Sequence, residues 1–167
     1  LTVFKGDVYA KDEKNNEFKT QYAEYKKELK LLESKGKTTI LTSEGFYLVG
    51  EDILFDNKNY LIKSSKPAQI QDLEKNNIFL ENFEYSTVDN FFKSIGKVKL
   101  VDSKNNSYFF SQIYIDEKKR EIFGTDIKTF INQDSFKINK KNKPRVFANT
   151  LMIKKDITHF GKSAFTL

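Results

Sequence analysis

The stretch that decides the fold is Leu48-Val49-Gly50-Glu51-Asp52-Ile53-Leu54-Phe55-Asp56-Asn57-Lys58-Asn59-Tyr60-Leu61-Ile62-Lys63-Ser64, because it recurs with a period of thirty residues. Ile53-Leu54-Phe55 is matched by Ala23-Glu24-Tyr25 before it and by Phe83-Glu84-Tyr85 and Ile113-Tyr114-Ile115 after it. Leu61-Ile62 is matched by Leu31-Leu32, Phe91-Phe92 and, less well, Glu121-Ile122, and a small residue follows each pair: Ser34, Ser64, Ser94, Gly124. An apolar position comes next (Ile40, Ile70, Leu100, Phe130), then a polar turn at Thr42, Asp72, Asp102 and Asn132. Self-similarity at a fixed period means stacked units that bury one another's apolar faces. Such an array works through an extended surface or groove more readily than through one catalytic pocket.

Each unit reads as one long β-hairpin. The first arm (Phe18 to Tyr25, Leu48 to Phe55, Ile78 to Tyr85, Tyr108 to Ile115) is rich in β-branched and aromatic residues. A polar turn follows, then a second arm of about a dozen residues, too long for an ordinary strand. Its small residue marks a bend that splits it in two. Val8 and Ala10 fall in register with Thr38 and Ile40, and Gly6 with Gly36, so half a unit precedes the first copy. Glu17 to Glu33 has helix-favouring composition, but its three copies do not, and one unit predicts one structure. After Asn132 the repeat fades into a charged loop at Asn139 to Pro144, followed by strands at Arg145 to Ile153 and Ile157 to Thr166. No Gly-, Ser- or Pro-rich linker divides the chain, which reads as a single domain over residues 1–167.

Bent hairpins stacked in order predict an all-β, antiparallel, folded-over sheet, jelly-roll-like, with an apolar interior. Side chains alternate across a strand, so Ala23/Tyr25, Ile53/Phe55, Phe83/Tyr85 and Ile113/Ile115 share one side. Ile40, Ile70, Leu100 and Phe130 are expected to form one interior column.

Composition narrows the chemistry. There is no Cys and a lone His159, which removes thiol catalysis, disulfides, His dyads and multi-His metal sites from this chain. Glu51-Asp52 and Asp116-Glu117 pair carboxylates in turns, where no apolar setting is expected to raise a pKa. No phosphate loop or dinucleotide fingerprint is present. The reading is a non-enzyme without cofactor or metal. Net charge +6 favours anionic partners. Lysines and aromatics interleave, as a single-stranded nucleic-acid binder requires, yet the aromatics recur where the repeat demands burial, so nucleic acid is not expected as a partner.

The interior is the remaining candidate: filled core in a self-assembling scaffold, or a groove for acyl chains. For a groove, the positions in phase with the first arm are Ile53, Phe55, Phe83, Tyr85, Ile113 and Ile115, joined by Ile62, Phe92 and Ile122 from the second arm.

Ile113-Tyr114-Ile115-Asp116-Glu117-Lys118-Lys119-Arg120-Glu121-Ile122-Phe123-Gly124-Thr125-Asp126-Ile127, with Phe136-Lys137-Ile138-Asn139, Asn142-Lys143-Pro144-Arg145-Val146-Phe147-Ala148-Asn149 and Lys162-Ser163-Ala164-Phe165-Thr166, resembles the N-terminal periplasmic, OstA-like domain of the LptD family, the lipopolysaccharide-assembly or organic solvent tolerance proteins, of alphaproteobacterial type. The resemblance covers essentially the whole chain. It implies a bent jelly roll of the OstA/LptA type whose groove conducts lipopolysaccharide towards the outer membrane. It further implies a periplasmic location attached to the outer membrane, edge-to-edge docking with an OstA-like bridge protein, and an outer-membrane lipoprotein partner. The family continues past the equivalent of Leu167 into a cysteine-bearing segment and a barrel, so this chain corresponds to the conducting and docking portion.

Overall fold

The computed structural model describes residues 1–132, 144–155 and 157–166. The strands are β1 (Thr2–Lys11), β2 (Glu17–Lys26), β3 (Leu31–Ser34), β4 (Lys37–Leu41), β5 (Tyr47–Glu51), β6 (Leu54–Asp56), β7 (Leu61–Ser64), β8 (Ala68–Gln71), β9 (Asn77–Leu80), β10 (Phe83–Ser86), β11 (Phe91–Val101), β12 (Ser107–Asp116), β13 (Glu121–Phe130), β14 (Arg145–Lys154) and β15 (Ile157–Thr166). Every pairing is antiparallel within one sheet.

That sheet is folded into two leaves. The upper leaf runs through the start of β2, then β4, β5, β8, β9 and the end of β11. The lower leaf runs through the end of β2, then β3, β6, β7, β10 and the start of β11. The long strands β1, β2 and β11 to β15 pass through both leaves and form the fold line's continuous parts. At the bend the backbone turns through positive φ at Gly6, Gly36, Asp52, Gly96 and Asp126. A left-handed residue there swings the strand from one leaf to the other.

The expected hairpin plan holds, with two departures. The first arm is also broken in the second and third units, between β5 and β6 and between β9 and β10, while the second arms of the third and fourth units run unbroken as β11 and β13. Glu17 to Glu33 is strand apart from a single 3-10 turn at Lys27–Leu29 closed by Lys30 in the left-handed conformation. β14 and β15 extend the stack where the repeat is no longer visible in sequence. The charged loop expected at Asn139 to Pro144 lies outside the described residues but for Pro144.

The interior column needs one correction. Cross-strand neighbours run Ile40, Leu48, Ile70, Ile78, Leu100, Tyr108, Thr129 and Val146. Thr129 stands where Phe130 was expected, and Phe130 faces outward between Ser107 and Arg145. From Ser94 to Leu100 the chain takes six steps; from Gly124 it reaches the same row in five. A strand has a side-chain period of two, so one residue fewer turns every later side chain to the other face.

Turns repeat as strictly as strands. Along the upper rim, Asn15, Gly45, Lys75 and Asn105 hold φ between 62 and 88°. Asp12, Asp72 and Asp102 each accept an amide hydrogen bond from Asn16, Asn76 and Asn106 at 2.7 Å. Each of these asparagines then accepts the backbone N–H of a neighbouring connection: Ser43 at 2.9 Å, Ser103 at 3.3 Å and Asn132 at 2.8 Å. The ladder satisfies buried polar groups from one unit to the next. It is interrupted where Phe46 replaces the asparagine, and there the ring turns into the core.

Candidate functional site

The inner wall of the lower leaf is built from two rows. One runs Tyr25, Leu32, Phe55, Ile62, Tyr85, Phe92, Ile115, Ile122 and Ile153 in unbroken cross-strand register. The other, one step nearer the bend, alternates large and small: Ser64 opposite Phe83, Ser94 opposite Ile113, and Gly124 between Ile113 and Leu151. Ile53, bonded through its backbone to Ser34, continues this second row, so all nine positions singled out in the sequence line one wall, six of them in a single row. At about 4.8 Å between strands, that row of six extends roughly 24 Å.

The wall is covered. Ile53, Phe55, Ile62, Phe83, Tyr85, Phe92, Ile113, Ile115 and Ile122 all belong to one buried apolar cluster, none more than 8% exposed. Phe18 of the upper leaf packs on Phe55 with ring centroids 4.7 Å apart, and Phe46 reaches Phe92 at 6.5 Å. Between the rims, a slot at Phe46, Leu73, Ile115, Ile122 and Ile153 holds about 20 Å³, room for one water, with Arg120 and Lys155 at its mouth. The interior in this form is filled core. A roomier polar recess of about 420 Å³ opens between the rims near β1, lined by Lys11, Lys14, Lys30 and Tyr60.

The rims touch through polar groups. Glu117, in the turn between β12 and β13 on the lower rim, accepts hydrogen bonds from Thr42 Oγ1 of the upper rim at 3.0 Å and from Tyr85 Oη at 2.8 Å. Lys14 Nζ donates to the Thr87 carbonyl, a second contact between rims. Glu117 is 1% exposed. Burial raises its carboxyl to about 7, against the lowering effect of Tyr85, Thr42 and Asn90. The expectation that Asp116-Glu117 has no apolar setting is thus overturned for Glu117. Nothing local in the sequence signals it, because the partners Thr42 and Tyr85 stand 75 and 32 residues away along the chain. The same burial, with Glu117 adjacent, pushes the Tyr85 hydroxyl up, keeping it a donor. His159 lies exposed on the outer face of β15, opposite Met152.

Both ends of the stack are open. The outer edges of β1 and β15 have no strand partner among the described residues. The inner-face residues Phe4 and Phe165, in register with Ala23 and Val146, are 42% and 54% exposed there.

No family model matches the chain, and no curated protein does. Among solved structures it is similar to LptH of Pseudomonas aeruginosa, described as the LptA homologous periplasmic component of the conserved lipopolysaccharide transport device. The likeness is one of fold. The TM-score is 0.56 at 15% identity, over 80% of this chain and 94% of that one. The all-β folded-over sheet read from the repeat is the architecture observed, and it is of the LptA-like type that the family resemblance implied.

Proposed function

We propose that this chain is a periplasmic lipopolysaccharide-transport domain that holds acyl chains between its leaves and has no catalytic role. The observation that carries this reading is the six-residue row Phe55, Ile62, Tyr85, Phe92, Ile115 and Ile122. It runs apolar and unbroken across the strands, along the direction in which domains would stack. Each acyl methylene moved from water is worth about 0.8 kcal/mol, so a multi-acyl lipid gains most from a wall continuous over many strands. The fold shared with a periplasmic transport component supports the same reading. Because the interior is filled in the closed form, acyl chains enter when the rims part at Thr42–Glu117 and Lys14–Thr87. Ile53, Phe83 and Ile113, nearer the bend, form the floor of the opened trough.

The unpaired edges of β1 and β15 suit strand addition by domains of the same fold, which would turn an aggregation liability into a docking edge. On this reading the chain is one domain of an LptD-type protein. An OstA-like bridge protein sits at one edge, and attachment to the outer membrane and its lipoprotein partner is supplied by the rest of that protein.

The filled interior favours a second reading, a self-assembling β scaffold whose wall is core alone. Photocrosslinking separates the two. A photoreactive residue at Phe92 or Ile115 is expected to capture lipopolysaccharide, whereas one at Lys63, on the outer face, does not. Absence of capture from every interior position, with the protein folded, leaves the scaffold reading standing.

A further inference from the structure

The two outer faces of the folded sheet differ in charge. On the lower leaf, the outer row runs Val3, Glu24, Glu33, Leu54, Lys63, Glu84, Lys93, Tyr114, Phe123, Met152 and His159, with both signs interspersed. On the upper leaf, the equivalent row includes Phe79, Lys99, Phe109, Lys128 and Phe147 on β9 and β11 to β14 and ends at Ala164 on β15, and no acid stands in it. On its rim side the row over the same strands runs Asn77, Val101, Ser107, Phe130 and Arg145, again without an acid, while towards the bend Asp126 stands beside Ser111 and Glu81 beside Lys97.

Four phenylalanines and three cations therefore share one outer patch. Phe79, Phe109 and Phe147 are 41%, 38% and 41% exposed. The lysines lie along the rings: Lys99 Nζ is 5.9 Å from the Phe109 centroid, and Lys128 Nζ is 5.1 Å from Phe130 and 5.7 Å from Phe147. Phe79, Phe109 and Phe147 lie outside the positions that the repeat marks as core, and Phe130, which the repeat marks as core, faces outward with them, so the expectation that the interleaved aromatics are buried fails here.

We propose that this patch is a docking surface for an anionic lipid bilayer, a site separate from the interior and independent of the reading given above. Aromatic rings beside lysines are the composition that sits at a headgroup layer, with apolar bodies towards the acyl boundary and ammonium groups at phosphate. Lys99 and Lys128 stand two strands apart, about 10 Å, which is about one Debye length, so they act together on a charged plane. Each contributes roughly fivefold to binding at an anionic surface. A single strand of nucleic acid is held on free ring faces that stack its bases. Here the lysines occupy those faces.

The test is flotation of the whole chain with vesicles of phosphatidylcholine alone and of phosphatidylcholine mixed with phosphatidylglycerol. The chain is expected to float with the mixed vesicles only, and increasingly as salt is lowered. Lys99→Glu with Lys128→Glu is expected to weaken this at least about tenfold, and Phe109→Ser with Phe147→Ser several-fold. Lys63→Glu with Lys93→Glu, on the other outer face, should leave it unchanged. Lys99→Gln with Lys128→Gln serves if the reversal unfolds the protein, as judged by circular dichroism. Equal flotation with neutral vesicles, equal loss from both faces, or no flotation overturns the proposal. Tighter binding of a single-stranded oligonucleotide through Lys99 and Lys128 than of the vesicles also overturns it.

Discussion

Thr42 Oγ1 donates to Glu117 Oε1 at 3.0 Å across 75 residues of chain, and this bond joins one rim of the folded sheet to the other. The acceptor is a carboxyl that burial has raised from 4.5 to about 7. Opening the rims and ionising Glu117 are therefore coupled, because the charged carboxylate gains most from water.

The pH dependence follows from that coupling. Between about pH 4.5 and 7 the folded protein keeps a proton that the unfolded chain has released, so stability is highest below this window and falls as pH rises through it. The ceiling is roughly 3 kcal/mol for this group. Urea midpoints taken across the window should show the decline, and Glu117→Gln should flatten it. An unchanged slope in the variant would mean that another group is responsible.

Two buried hydroxyls, Ser94 Oγ and Thr129 Oγ1, have no hydrogen-bond partner among the described residues. Thr129→Val keeps the shape and removes the unpaired group, so a gain of about 1 kcal/mol is expected. A lower thermal midpoint in Thr129→Val would show that the hydroxyl is satisfied.

Gly124 is tied to the ring beside it. A Cβ added there would lie 2.2 Å from Phe110 Cδ1 and 2.5 Å from Cε1, so the ring would have to shift. Gly124→Ala should cost about 1–3 kcal/mol by overpacking. Phe110→Leu in the same chain should recover part of that, and a double-mutant cycle gives the coupling. Additive losses would place the strain elsewhere.

Asn76 bridges two connections, donating to Asp72 at 2.7 Å and accepting from the Ser103 N–H at 3.3 Å. Asn76→Ala strands both partners in a part-buried site and should cost about 1–3 kcal/mol. Denaturant unfolding measures it, and a loss below a few tenths of a kcal/mol would mean that the asparagine ladder is ornamental to stability.

The lower-leaf row was legible because it needs only a count. A thirty-residue period with apolar residues two apart places Phe55, Tyr85 and Ile115 on one face of any strand that contains them. Phe130 was misplaced by the same count. The fourth unit is one residue shorter at its bend, and the apolar Phe130 beside the polar Thr129 hides that deletion. Glu117 was misjudged for a different reason: turns are solvated unless something covers them, and what covers this one is 75 residues away.

Sequence by itself determined the antiparallel stack, its order and its inner wall, since period and alternation act locally along the chain. Tertiary structure alone decided how far the leaves close, which carboxyl is buried between the rims, and where Phe79, Phe109 and Phe147 meet Lys99 and Lys128 in one outer row without an acid. Those are relations between separate units. They depend on twist and on the number of residues at each bend, which no single unit contains.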